Sequence, residues 1–367
     1  MKFMRSRPFI VGVLLFTILL PALSINLFAQ DAPQGGTLVL LGHQEVAGLS
    51  PDDSGPTVQW VVITNIHNAL VEIDENYELQ PVLAESYEVS EDGLQYTFNL
   101  RQGVLFHDGE EFTSEDVQYT MEFYGNPENA TVQGSDYTSV ASVETPDDYT
   151  VIVNMVEPNA AFLTITATNF IVPAHYHSEV GEETYRTAPI GTGAFMLSEW
   201  RPAEFTELVA FDDHFRGRPN IDVLRLDVVP EPSVRAIALE TGDADSSVWP
   251  VLVENNLRFA DDDRFLVYRT STAAVNHFPL NNDSPVLSDR SVRQAMMFAI
   301  DRQQVIDDIF SGAAVVAETN LSPAFDFWTN PDVPTYPYDV AQAEALLDEA
   351  GWLMGDDGVR ARDDQRL

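Results

Sequence analysis

The stretch EDGLQYTFNLRQGVLFHDGEEFTSEDV, residues 91–117, decides how this chain folds. Tyr87 and Val89 before it, then Tyr96, Phe98 and Leu100 within it, alternate with polar residues across the Asp92-Gly93 turn. That period of two predicts a hairpin with one apolar face and one wet face. Gln102-Gly103 and Asp108-Gly109 supply two further turns, and Thr113 is placed to cap a helix whose first turn holds Glu115 and Asp116. Carboxylates there complement the exposed N–H groups of the helix end, while Val117, Thr120, Met121 and Tyr124 fall on one face. Every acid in the stretch therefore has a local structural use, and the segment reads as scaffold rather than catalytic site.

Outward from this hairpin the pattern is mixed. Thr37-Leu38-Val39-Leu40-Leu41 reads as a buried strand ending in the loop Gly42-His43-Gln44-Glu45-Val46, and Val58 to Leu70 has helical spacing. Tyr149 to Val153 reads as a strand, as do Phe195, Phe205 to Phe211 and Leu224 to Val229 after the Gly191-Thr192-Gly193 loop. Ser233 is placed to cap a helix stopped by Gly242. From Phe265 a strand is predicted, followed by helices capped by Ser288, Asp301 and Asp339 and closed by Gly312 and Gly351. The 338 residues from 30 to 367 suggest two domains. The last residues, Val359 to Leu367, read as the first arm of a hairpin cut before its second strand, as in a fragment.

Lys2, Arg5 and Arg7 precede the apolar run Phe9 to Leu20, broken by Pro21 and ending in Leu27-Phe28-Ala29. That order predicts a secretory signal, residues 1–29, cleaved near Ala29, and an exported mature chain. Retention of the same segment as an anchor for a docking or sensory ectodomain is the alternative. With no cysteine, disulfides, thiolate metal sites and thiol nucleophiles are excluded. The formal net charge is −39, from 58 acidic and 19 basic residues. A surface of that sign repels nucleic acid and anionic lipid, and most of these charges read as adaptation to a salty exterior.

Candidate chemistry is sparse. Among seven histidines, His175-Tyr176-His177 has the best spacing for a metal if the segment is extended, but no third ligand stands at a recognisable distance. Glu110-Glu111 and Asp261-Asp262-Asp263 read as solvated loop charges, and Arg290 and Arg293 as surface ion-pair partners at a helix start. His107 reads as a surface or turn-stabilising residue. Gly191-Thr192-Gly193 lacks the lysine of a phosphate loop and the third glycine of a dinucleotide turn. No catalytic residue, metal site or cofactor is assigned.

Together, Leu83-Ala84-Glu85-Ser86-Tyr87, Arg101-Gln102-Gly103-Val104, Phe106-His107-Asp108-Gly109, Phe112 to Val117, Pro189 to Gly193, Leu239 to Asp245 and Ser288 to Ala295 with Ala299 to Arg302 resemble the family 5 extracellular solute-binding proteins. Tyr338-Asp339 and Ala350-Gly351-Trp352 add to the resemblance, which covers residues 35 to 367. These are the dipeptide, oligopeptide and nickel receptors of ATP-driven importers. The resemblance implies a two-lobed, periplasmic-binding-protein-like α/β fold of the three-domain type II, its second lobe incomplete here. Residues 30–52 and 187–265 would form the core of lobe I, 53–186 its accessory domain and 266–367 the incomplete lobe II.

It also implies a non-enzymatic receptor that captures a small peptide or a similar cationic or zwitterionic solute and delivers it to permease subunits, acting as a monomer. Three segments would then meet the ligand: Gln44, Glu45 and Val46 after the first strand, Ser246, Ser247 and Trp249 at the crossover, and Asn276, His277 and Phe278 on the first strand of lobe II. Glu45 offers a charge to an amino group, Trp249 a wall, and Asn276 hydrogen bonds. In peptide-binding relatives the acid that meets the ligand's amino group lies beyond the end of this sequence. The reading from a different class is a secreted hydrolase using an acidic pair.

Overall fold

The computed structural model describes residues 34–53, 57–249, 251–268, 274–325, 329–330, 332–363 and 365–367. The expected signal segment, 1–29, lies outside the described residues. Strand β1 (Thr37–Gly42) is followed by helix α1 (Thr57–Ile66), the short strands β2 (Val71–Ile73) and β3 (Leu79–Pro81), and the hairpin β4 (Ala84–Val89) and β5 (Gln95–Leu100). Helix α2 (Ser114–Gly125) leads to β6 (Val140–Asp147) and β7 (Thr150–Met155), then to α3 (Phe162–Thr168), α4 (Ala174–Val180) and α5 (Glu182–Tyr185). Strands β8 (Phe195–Arg201), β9 (Phe205–Ala210) and β10 (Val223–Val228), helix α6 (Pro232–Thr241), the two-residue β11 (Ser246–Ser247) and α7 (Val253–Ala260) follow. Beyond them lie α8 (Arg290–Ala299), α9 (Arg302–Phe310), α10 (Val340–Glu349) and the small strands β12 (Leu353–Met354), β13 (Arg360–Arg362) and β14 (Gln365–Arg366).

Two sheets carry the first two thirds of the chain. One is a four-stranded antiparallel sheet ordered β4-β5-β7-β6, in which Tyr96 faces Val153 and Phe98 faces Val151. Its apolar face closes over α2, with Phe98, Phe106, Phe112, Val117, Tyr124 and Phe162 fully or nearly fully buried. Each such aromatic or aliphatic side chain contributes about 2 kcal/mol relative to exposure. The other sheet is ordered β11-β1-β10-β9-β8, its first three strands parallel and the rest antiparallel. It packs through Leu208, Leu224 and Leu226 against Val58, Val62 and Ile66 of α1.

Asp92, Asp108, Glu111 and Asp116, among the acids of residues 91–117, accept from backbone N–H groups. Asp92 accepts from Leu94 N–H at 3.1 Å and Glu111 from Gly103 N–H at 3.1 Å and Tyr149 Oη–H at 2.7 Å. Asp116 accepts from Thr113 N–H at 2.9 Å and from Ala174 N–H at 2.9 Å, so one buried carboxylate tends the starts of both α2 and α4. Gly191 and Gly193 are required by close approach. A Cβ on Gly191 would sit 2.2 Å from Ile66 O, and one on Gly193 2.2 Å from Asn65 O.

Several local expectations are corrected. The segment His175-Tyr176-His177 is helical rather than extended, because Pro173 ends the preceding segment and Asp116 satisfies the first N–H of α4. Helix α6 begins at Pro232, with Glu231 before it, because a residue without an N–H suits the first helical position; Ser233 lies inside the first turn. Asp289, not Ser288, caps α8, its carboxylate accepting from Ser291 N–H at 2.9 Å. Arg293 donates to Leu287 O and Ser288 O at 2.7 and 3.0 Å, anchoring the loop before its helix rather than an ion pair. Residues 265–268 form no strand: Phe265 turns back to donate to Asp262 O and stacks on Phe259. Residues 269–273 lie outside the described residues, and 274–280 form no strand either. The final hairpin has both arms, since β13 pairs with β14 as well as with β12.

In the last third, Val292, Ala295, Ala343, Leu347 and the fully buried Trp352 form a separate core. Trp352 Nε1–H donates to Asp289 Oδ2 at 3.2 Å, and Arg362 lies over the indole while pairing with the same carboxylate at 2.6 Å. The capping residue of α8 is thus held in place from the chain's far end.

Candidate functional site

Parallel strands deliver their carboxyl ends to one edge of a sheet, where the following loops leave backbone groups and side chains free to meet a ligand. In the five-stranded sheet that edge follows β1, β10 and β11. Leu40 and Leu41 pair with Ser246 and Ser247, Val248 N–H donates to Leu41 O at 3.0 Å, and Val229 N–H to Gly42 O at 2.8 Å. The Ser247 hydroxyl donates to Trp249 O at 2.6 Å, which fixes the turn that carries the indole. As a result the imidazole of His43 stacks on the Trp249 ring, with centroids 4.3 Å apart and planes inclined by 29°. The indole remains 42 % exposed, so the platform is open on its outer side.

Behind the platform sits Arg235 of α6, 2 % exposed, whose guanidinium donates to Val229 O and Pro230 O at 2.7 and 2.8 Å. Burial, reinforced by this positive charge, holds the His43 imidazole below its ordinary pKa. A neutral ring stacks without desolvating a charge, and its Nδ1 is enclosed without a hydrogen-bond partner. Gln44 and Glu45 are exposed on the loop, and Val46 is buried in the core beneath it. The first and second predicted segments therefore meet, although Val46 packs inward.

The third segment is apart from them. Asn276, His277 and Phe278 are exposed, His277 Nδ1–H donating only to Val275 O at 3.1 Å among the described contacts. Among the described residues, no hydrogen bond or ring contact joins this segment to His43, Glu45 or Trp249. His43 and Arg235 were not singled out from sequence. The sequence signal for His43 is its place in the loop beside Gln44, and for Arg235 its place as the one cation of a helix whose only other charge is Glu240.

The histidine pair does not form a ligand set. His175 Nε2 meets Asp108 Oδ2 at 2.8 Å on the surface, whereas His177 is buried between Tyr119 and Glu182. Two positions apart on a helix they point to different sides. Among the described residues no cluster of three or more metal-ligating side chains occurs. A cavity of about 340 Å³ lies elsewhere, between α1, β2 and α3, lined by Trp60, Thr64, Asn68, Glu72 and Phe170 among others. None of the predicted ligand residues reaches it.

Residues 78–367 match the family described as bacterial extracellular solute-binding proteins, family 5 Middle. The chain is 34% identical over 278 residues to a putative ABC transporter peptide-binding protein of Brucella ovis, covering 74% of this chain and 51% of that protein. It is 30% identical over 314 residues to the glutathione-binding protein GsiB of Salmonella paratyphi A, covering 84% of this chain and 60% of that one. Among solved structures, NikZ from Campylobacter jejuni in complex with Ni(L-His) superposes with a TM-score of 0.78 at 27% identity, over 90% of this chain and 66% of that one. The chain thus spans about half the length of the Brucella relative and three fifths of the Salmonella one.

Proposed function

Because the chain belongs to the family 5 extracellular solute-binding proteins and has their α/β fold, we propose that it is the ligand-capturing receptor of an ABC importer. The observation that carries this reading is the His43–Trp249 platform at the carboxyl ends of β1 and β11. An exposed aromatic surface backed by hydrogen-bonded loops suits recognition of a solute.

The solute is a small peptide or a similar cationic or zwitterionic molecule, with Glu45 at the mouth facing its amino group. Names of the relatives point to the same range, from peptides and glutathione to a nickel–histidine complex. Asn276, His277 and Phe278 meet the ligand when a second lobe closes over the platform. A ligand touching both lobes binds the closed state more tightly and so shifts the population toward it. The core around α2 supports an accessory unit within 53–186 and the five-stranded sheet a core unit of 30–52 with 187–265, but helix α1, inside the accessory range, packs on the core sheet. Residues 266–367 then belong to the second lobe. The receptor works outside the cytoplasm, as a monomer, without a cofactor or catalytic step, and hands its solute to permease subunits.

Thermal unfolding in the presence of di- and tripeptides, glutathione and nickel–histidine tests this. Saturable stabilisation by one class, with the ligand recovered unchanged, supports a receptor. Turnover of the ligand overturns it in favour of the hydrolase.

A further inference from the structure

Immediately beyond the platform loop, Ser50-Pro51-Asp52-Asp53 turns against the helices α4 and α5. Leu49 N–H donates to Arg186 O at 2.9 Å, Gln133 Nε2 donates to Pro51 O at 2.8 Å, and Asp53 pairs with the Arg186 guanidinium. From the opposite side, Glu182 Oε2 accepts from His177 Nε2–H at 2.9 Å, and His177 Nδ1 accepts from Tyr119 Oη–H at 2.7 Å. The Asp52 and Glu182 carboxyl groups are near enough to interact, and Ser50 neighbours both. One oxygen on each, Asp52 Oδ1 and Glu182 Oε1, is enclosed with no hydrogen-bond partner.

Two facing carboxylates in that position suffer both desolvation and mutual repulsion. A single proton removes both problems, because the protonated acid donates to the other's lone pair. We infer that Asp52 and Glu182 share one proton and thereby form a pH-sensitive clasp, which holds the platform loop against α5 in acid and loosens when the proton leaves.

The surroundings fit a shared proton rather than a second cation. Arg186 is already committed to Asp53, and His177 of α4 to Glu182. The remaining titratable groups facing the pair are the phenols Tyr119 and Tyr124 of α2 and Tyr185 of α5, all raised chiefly by burial. Burial, with the charges of Glu182 and Asp53, pushes Asp52 up to about 6. For Glu182 burial acts upward too, but hydrogen bonds from His177 and Asp52 outweigh it and leave the group below its ordinary value. The proton therefore resides on Asp52. Since the native state keeps a proton that the unfolded chain releases near 3.8, this stabilisation is full below that pH and is lost as pH rises through about 6.

The clasp is tested in the full chain without any transported ligand, so its outcome is separate from that of the receptor reading. Amide hydrogen exchange of residues 44–53, corrected for intrinsic rate, and melting temperature are compared at about pH 5 and about pH 7.5 for wild type and Asp52→Asn. Asparagine at 52 carries a permanent donor toward Glu182. Relative to the variant, wild type is expected to lose protection several-fold and to lose melting temperature on going to the higher pH, whereas the variant keeps its acid-like protection of this loop at both. Parallel behaviour of the two proteins overturns the inference; histidine titration elsewhere is common to both and cancels in the comparison. If the variant does not fold, infrared difference spectra of wild type decide. Loss of a buried protonated carboxyl band across that interval supports the clasp, and no such band removes it.

Discussion

The imidazole of His107 grips Gly193 across the junction between the two sheets. Its Nε2–H donates to Gly193 O at 3.0 Å, while its Nδ1 accepts from Gly191 N–H at 3.2 Å. The backbone N–H of His107 also donates to Gly191 O at 3.0 Å. A residue in the turn after the antiparallel hairpin thereby satisfies the loop that opens β8. Replacing it, His107→Ala, orphans a partly buried donor and acceptor and is expected to destabilise the fold by about 1–3 kcal/mol. Urea unfolding measures the loss. A change under a few tenths of a kcal/mol would show that water replaces the ring.

Gly193→Ala is expected to be the more damaging substitution. Its Cβ would fall 2.2 Å from Asn65 O, against backbone that cannot swing aside as a side chain can. Either the loop retreats from α1, breaking the Gly193 N–H to Ile66 O bond of 2.8 Å, or the helix end shifts. A loss above about 2 kcal/mol is anticipated, and the midpoint of chemical denaturation reports it. Wild-type stability in this variant would mean that the loop relaxes freely.

Acid is expected to weaken the fold through two histidines. Burial lowers His67 to about 3 and His107 to about 4, both from 6.5 in the unfolded chain. Their neutral forms are what the native state accommodates, so the stabilisation is present above about pH 6.5 and is lost as pH falls toward those values. Proton uptake on unfolding at about pH 5, measured by calorimetry in buffers of different ionisation enthalpy, is expected to fall in His67→Asn. Equal uptake in both proteins would show that His67 is already charged in the native state.

Trp249→Ala removes the exposed half of the platform while leaving Ser247 and the β1–β11 pairing in place. In a full-length protein that binds one of the screened solutes, affinity is expected to fall by about 1–3 kcal/mol with the melting temperature of the unliganded form little changed. Titration calorimetry against the stabilising solute decides. Unchanged affinity would take Trp249 out of the site.

A formal charge of −39 predicts salt-dependent stability. Raising sodium chloride from about 0.01 to about 0.5 M shortens the screening length several-fold and relieves self-repulsion among carboxylates. The melting temperature is expected to rise by several degrees. A flat profile would mean that ion pairs such as Arg218 with Asp212 and Asp222 offset what screening relieves.

Much of this was legible in the sequence because it is local. Alternation of Tyr96, Phe98 and Leu100 specified a two-faced strand. Asp301 and Asp339 before apolar-periodic runs specified helix starts, and their carboxylates do accept from Gln304 and Gln342 N–H. Where two residues competed for a local role, as Ser288 and Asp289 did, sequence alone chose wrongly. The winner there depends on Trp352 and Arg362, more than sixty positions away. Likewise, a His-x-His spacing suits a metal only on an extended segment, and the helix at α4 is set by Asp116, fifty-eight positions earlier.

The platform shows the same division. The sequence by itself determined that loops follow β1 and the Ala244-Asp245 crossover, that Trp249 lies in one and Glu45 in the other, and that no cysteine chemistry is available. Only the tertiary structure decided that His43 lies against Trp249, over buried Arg235. That contact needs strands 206 residues apart to pair in one register. Periodicity and turn chemistry act over a few residues, whereas register between distant strands is set by burial of both faces at once, which no single segment encodes.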